Sequence, residues 1–157
     1  MANSTSDNPG IIAPPPLIYV GGLVIGLLLQ NKFPLPFLPK GWRRAVFGST
    51  LIGLAVIIVR QGVREMQRAQ TNVNPMQPAT TLVVDGPFRF SRNPLYLSMA
   101  IFYTGVAILA NALWPILLLP IVQFVMRVGV IEREERYLER KFGKQYLSYK
   151  ARVRRWI

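Results

Sequence analysis

Charge is absent from Leu95 to Met126, a run of 32 residues. One membrane crossing takes about 20 residues, so this run suits two short helices rather than one. Asn111, near its middle, is the predicted hairpin tip. It separates a helix over Leu95–Ala110 from one starting near Ala112, with Pro115 in its first turn and Pro120 as a predicted kink. Two apolar runs precede the hairpin. The first, Ile11–Leu29, should become helical near Pro16, because proline is tolerated in a first turn. A loop containing Pro34, Pro36 and Pro39 follows, with Phe33, Phe37 and Trp42 suited to a membrane interface. The second, Ala45–Val59, has fifteen uncharged residues. As a helix it spans roughly 22 Å, so Arg43, Arg44 and Arg60 must snorkel at its ends. Gln61, Arg64 and Arg68 carry that helix about two turns into water, until Asn72, Asn74, Pro75 and Pro78 end it. Thr80–Val84 is predicted to be extended and closed by the turn Asp85-Gly86-Pro87. Beyond Met126 the last helix should leave the membrane and run to about Phe142, where Gly143 supplies a C-cap. Lys144–Ile157 follows as a basic, aromatic tail.

These elements predict an all-α, polytopic transmembrane protein of about four spans, with a C-terminal helix extending from the last span. A single domain over 1–157 would then hold two N-terminal spans (1–60), a loop (61–94), a helical hairpin (95–126) and a C-terminal helix and tail (127–157). Gly21, Gly22 and Gly26 could give the first helix a flat contact face. Residues 60–93 and the segment from Arg127 onward together hold 15 of the 19 basic residues. The positive-inside rule places both in the cytoplasm, most simply at the inner membrane of a prokaryote. Lys32, Lys40, Arg43 and Arg44 then fall on the outer side, against the rule, which points to a tilted or re-entrant first pair.

Composition narrows the chemistry. Apolar residues make up 51% of the chain, in blocks segregated from the charges. There is no cysteine and no histidine. That removes thiol nucleophiles, histidine bases and the common zinc and haem ligands, and no metal site is expected. The formal charge is +12. Because the basic residues flank apolar spans, the charge fits topology and anionic lipid, and no nucleic-acid partner is expected.

In the helix after Met126, Ile131, Glu135, Leu138 and Phe142 fall within about 60° of one another at 100° per residue. Glu135 thus lies on the apolar stripe and Glu134 at its edge, while Arg133, Arg136 and Arg140 point away. A carboxylate on a buried face needs a cation or several hydrogen bonds. An uncharged glutamine would be easier to bury there. Glu132 and Glu139 fit a surface ladder, with Glu132–Arg136 at i,i+4 spacing. Arg92 is the expected partner of Glu135. Pro94 should open the third helix, with Asn93 as its N-cap. Arg92 then stands just before a helix N-terminus, where an anionic group is favoured. Tyr96, one turn in, can present its hydroxyl to the same place.

The string Gly86-Pro87-Phe88-Arg89-Phe90-Ser91-Arg92-Asn93-Pro94-Leu95-Tyr96 resembles the Arg-(His/Asn)-Pro-x-Tyr signature of the integral-membrane isoprenylcysteine carboxyl methyltransferase and phospholipid methyltransferase superfamily. Glu134-Glu135-x-x-Leu138, followed by Phe142-Gly143-x-x-Tyr146-x-x-Tyr149-x-x-Arg152-Val153-x-Arg155-Trp156, resembles its C-terminal signature. The likeness covers residues 80 to 157. It implies S-adenosylmethionine bound from the cytosolic side and a lipophilic or lipid-modified acceptor entering from the bilayer. By motif, Arg92 and Glu135 would be the catalytic or substrate-orienting pair. Gly86, Pro87, Asn93, Pro94, Tyr96, Glu134 and Leu138 would line the cofactor pocket, and Tyr149 and Arg152 would close it. Asn93 replaces the histidine usual in prenyl-protein methyltransferases and cannot titrate near neutral pH. Thiol, amine and phospholipid acceptors therefore stay open. Two rival functions are a nicotinamide-dependent membrane reductase, related to sterol reductases, and a non-enzymatic adaptor binding anionic lipid through its tail.

Overall fold

A computed structural model describes residues 7–39 and 41–157, so Lys40 and its expected outer placement lie outside the described residues. The described residues are helical or irregular, and none forms a strand. Six α-helices are present: α1 (Pro15–Lys32), α2 (Trp42–Arg68), α3 (Pro94–Leu109), α4 (Leu113–Met126), α5 (Glu132–Phe142) and α6 (Lys144–Arg152). A 3₁₀ turn, Gly86–Arg89, precedes α3, and a π-turn, Arg127–Ile131, joins α4 to α5. Two stretches are long and apolar enough to cross a membrane: α2, and the continuous helix Leu113–Phe142. The apolar helix α3 is shorter.

Sequence neighbours are not always spatial neighbours. The 27-residue α2 packs along α3, and α1 packs along α4, while α3 touches both α1 and α4. Small residues set these distances. A Cβ added at Gly105 would lie 2.9 Å from the carbonyl oxygen of Gly48, so α2 and α3 meet backbone to backbone there. On α1, Gly26 lies against Pro115 and Gly22 against Val122, as the flat-face expectation requires, whereas Gly21 meets nothing. Tyr19, Tyr96, Tyr103, Val122, Met126, Val130 and Ile131 form the buried core.

The hairpin tip is where the sequence predicts it. Asn111 adopts φ 52°, a left-handed conformation that asparagine tolerates. Its Oδ1 accepts the N–H groups of Phe37 (3.2 Å) and Leu38 (2.9 Å), and its Nδ2 donates to the Leu38 carbonyl (3.0 Å). The proline loop after α1 is thereby fastened to the tip. Asn111→Ala should lower stability by about 1–3 kcal/mol. Asn111→Gly, which loses the bonds but suits the backbone, should cost less. Thermal melting of both variants in detergent checks the order; equal losses would remove the backbone part of the argument.

The π-turn lies outside the helical pattern expected across Met126. Its Gly129 carbonyl accepts the N–H of Ile12 at 3.1 Å, and Ile12 packs on the bare face of Gly129. The N-terminal strap continues along α5. Arg133 donates to the Gly10 carbonyl (2.8 Å), and Asp7 takes Tyr137 Oη (2.9 Å) and Lys141 Nζ (2.6 Å). The tail also differs from expectation, because its first nine residues form α6 with Tyr146 and Tyr149 buried.

Candidate functional site

The charged ends of α3 and α5 meet. Glu135 is 7% exposed, on the buried face of α5 as the helical arithmetic requires. Its Oε1 lies 3.2 Å from Arg92 Nη1. Arg155 grips it more fully, with Nε donating to Oε1 at 3.1 Å and Nη2 to Oε2 at 2.7 Å. Glu135 therefore sits between two guanidinium groups. The bidentate bond to Glu135 holds the Arg155 proton still more firmly than usual. Arg92 Nη1 also reaches Tyr146 Oη at 3.4 Å. Burial, and then the Glu135 charge, push the Tyr146 hydroxyl up to about 12 against the opposing pull of Arg92. Burial likewise raises Tyr149, whose hydroxyl donates to the Phe88 carbonyl at 2.7 Å. Both phenols thus stay neutral, Tyr149 as a donor and Tyr146 as an acceptor from Arg92.

Backbone bonds hold the second arginine in place. Arg92 N–H donates to the Arg154 carbonyl (3.0 Å), and Ser91 Oγ and Asn93 Nδ2 both donate to the Arg155 carbonyl (3.2 and 3.0 Å). Asn93 occupies the N-cap position of α3, but its side chain makes no cap bond. The expected cap is thus replaced by a tie to the tail. The expected surface ladder is also replaced: Glu132 pairs with Arg127 (2.8 Å) and Glu139 with Lys150 (3.2 Å).

A cavity of about 540 Å³ opens beside this cluster. Arg92, Glu135, Asn93, Pro94, Tyr96, Glu134, Leu138 and Tyr149 line it, together with Tyr146. Tyr96 donates to Glu134 Oε2 at 2.7 Å, and no basic side chain among the described residues pairs with Glu134. Arg92 Nε is buried with no hydrogen-bond partner among the described residues.

Gly86, Pro87 and Arg152 are placed elsewhere. Gly86 has φ 60°, and a Cβ there would stand 2.7 Å from Glu65 Cγ, so it serves the turn that packs on α2. Pro87 packs with it beside Gly62 of α2. Arg152 is exposed and bonds the Ser148 carbonyl one turn back. Three wall elements carry no advance signal: the strap residue Pro9, the loop from Thr71 to Val83, and Met66 of α2. Arg155 stands in the C-terminal signature string, but nothing local announces a partner twenty residues earlier.

A buried carboxylate between two arginines, beside a roomy cavity at the ends of apolar helices, defines an all-helical protein with an internal polar site. Residues 43–145 match the phospholipid methyltransferase family, and the chain belongs to that family. It is similar to protein-S-isoprenylcysteine O-methyltransferase B of Arabidopsis thaliana, with 27% identity over 120 residues, 75% of this chain and 61% of the relative. The chain thus spans about three-fifths of that relative's length. An uncharacterized protein of Haemophilus influenzae is 38% identical over 68 residues, 40% of this chain and 100% of that protein. No solved structure matches the chain significantly.

Proposed function

We propose that the protein is an S-adenosylmethionine-dependent methyltransferase acting on a lipophilic acceptor at the membrane–cytosol boundary. The observation that carries this is a pair of residues lining the 540 Å³ cavity that, among the described residues, are only partly satisfied: Arg92, whose buried Nε has no partner, and Glu134, whose carboxylate accepts from Tyr96 but meets no cation. A ligand that joins a carboxylate to cationic groups complements both. S-adenosylmethionine carries an α-carboxylate, an α-ammonium and a sulfonium, and its size suits the volume. When bound it would supply an activated methyl group.

The chain's own residues then have separable tasks. Arg92 holds the carboxylate, Glu134 favours the positive groups, and Tyr96 fixes the orientation of Glu134. Glu135 fixes Arg92. In-line methyl transfer needs alignment and exclusion of water more than a strong base, which suits a site without histidine. A second cavity of about 310 Å³ lies among α1, α2 and α3, with apolar walls that include Leu23, Val56 and Phe102. It shares Pro16, Val59 and Met99 with the first. That continuity supports an acceptor with a hydrocarbon tail whose reacting end meets the cofactor.

Four membrane spans, α1 to α4, are part of this reading. Leu17 and Leu28 of α1, Phe47 and Ile57 of α2, and Leu117 and Phe124 of α4 are exposed, as lipid-facing residues would be. The basic loop and tail support a cytoplasmic site. A nicotinamide dinucleotide fits less well. Among the residues lining the larger cavity Arg92 is the sole cation, and a diphosphate needs more. A lipid-binding adaptor leaves the buried Glu135 carboxylate without a purpose.

S-adenosylhomocysteine at about 100 times its dissociation constant should stabilise the detergent-purified protein by roughly 2.7 kcal/mol. NADPH should not. Thermal shift reads both. A shift with NADPH alone would favour the reductase, and no shift with millimolar S-adenosylhomocysteine would overturn the methyltransferase reading.

A further inference from the structure

We propose that Arg155 is a positioning residue of this site: by taking both oxygens of Glu135 it keeps the Nε–Nη2 edge of Arg92 open for the α-carboxylate of the cofactor. The inference rests on the methyltransferase reading and deepens it.

A guanidinium has two edges able to bind a carboxylate side-on, and the Nε edge is one of them. A carboxylate buried next to a lone arginine would rotate to use such an edge, because a bidentate pair is the strongest arrangement available. Glu135 does not do so. Its closest approach to Arg92 is at Nη1, 3.2 Å, while its bidentate pair is made with Arg155, at 3.1 and 2.7 Å. Arg92 lines the cavity, and its Nε is left buried and without a partner among the described residues. An unmet buried donor is costly, so the observed arrangement favours a ligand that meets it.

Arg155 itself is not part of the cavity lining and acts through Glu135. Its placement is firm, since its carbonyl is bonded by both Ser91 and Asn93, the residues on either side of Arg92. Arg155 has both Glu135 and, at 3.8 Å from its Nη1, Glu132 against it, so Arg92 is the less fully paired guanidinium and the one that an incoming carboxylate meets. Glu134, adjacent to Glu135 on α5, stands ready for the ammonium or sulfonium of the same molecule. The acceptor groove among α1, α2 and α3 contains none of these charged groups, so the open edge is assigned to the cofactor.

The test compares S-adenosylhomocysteine with 5′-methylthioadenosine, which has the same nucleoside and thioether but no carboxylate. Dissociation constants are measured by calorimetry on wild-type and Arg155→Gln protein. Wild type should bind S-adenosylhomocysteine at least tenfold more tightly than methylthioadenosine. Arg155→Gln should shrink that preference to about threefold or less, by weakening S-adenosylhomocysteine alone, because Glu135 then closes on the Nε edge. A general packing role for Arg155 would weaken both ligands together, and that result would overturn the proposal. So would an undiminished preference, or equal affinities in wild type. Failure of wild type to bind S-adenosylhomocysteine would instead sink the methyltransferase reading itself. Should Arg155→Gln not fold, Arg155→Lys carries the comparison. It keeps the charge but cannot form the fork, and it should lose part of the preference.

Discussion

Arg92→Gln should lower S-adenosylmethionine-dependent turnover at least about a hundredfold, roughly 2.7 kcal/mol, while costing less than about 1 kcal/mol of stability. The two effects separate because of how Glu135 is held. Without Arg92, Glu135 keeps both oxygens on Arg155 and remains neutralised. What disappears is the cation facing the cavity and its contact with Tyr146. Transfer of labelled methyl groups to a membrane extract, with thermal melting alongside, checks both halves. A large stability loss with an unchanged rate would make Arg92 a structural residue.

Glu135→Gln should behave differently. Considered as a single carboxylate on an apolar face, Glu135 would be easier to bury as glutamine. The structure reverses that expectation, because Arg92 and Arg155 would face each other with no anion between them. Removing one partner of a buried pair leaves uncompensated charge, and side-chain exposure of 26% at Arg155 moderates the cost to about 2–4 kcal/mol. Turnover should also fall at least about tenfold, since Arg92 loses its orienting contact. Glu139→Gln, which removes an ion pair with the exposed Lys150, should cost about 0–1 kcal/mol and spare turnover. Melting curves and rates of the two variants compared side by side decide it. Equal behaviour of Glu135→Gln and Glu139→Gln would show that burial does not distinguish them.

Much of this was legible in local pattern. The charge-free run and Asn111 mark a hairpin, because an asparagine between two apolar helices serves a left-handed turn. The stripe Ile131–Glu135–Leu138 marks a buried carboxylate, because period and burial go together. Other features depend on distant partners and carry no such mark. Asn93 has the type and position of a cap, yet a carbonyl 62 residues away takes its amide. Arg155 is one basic residue among several in the tail, and only the fold selects it. The wall formed by the N-terminal strap depends on hydrogen bonds from α5, more than 120 residues distant. Gly86 and Pro87 sit in a signature string yet serve the turn against α2, since a motif does not say which of its residues touch a ligand and which shape the chain.

The π-turn at Arg127–Ile131 bears on how such a site can be built or lost. Its wider i→i+5 loops absorb one residue that an α-helix would convert into about 100° of rotation. It thus acts as a phase adjuster, uncoupling the exposed apolar register of α4 from the cavity-facing register of α5. Loss of one residue here would leave a plain α-helix in the same register, whereas a further insertion would swing Glu134 and Glu135 together around the helix axis while leaving the α3–α4 hairpin intact. The widened turn also exposes the carbonyl on which Ile12 is anchored. One local irregularity therefore sets the azimuth of both carboxylates and the seat of the strap that walls them in.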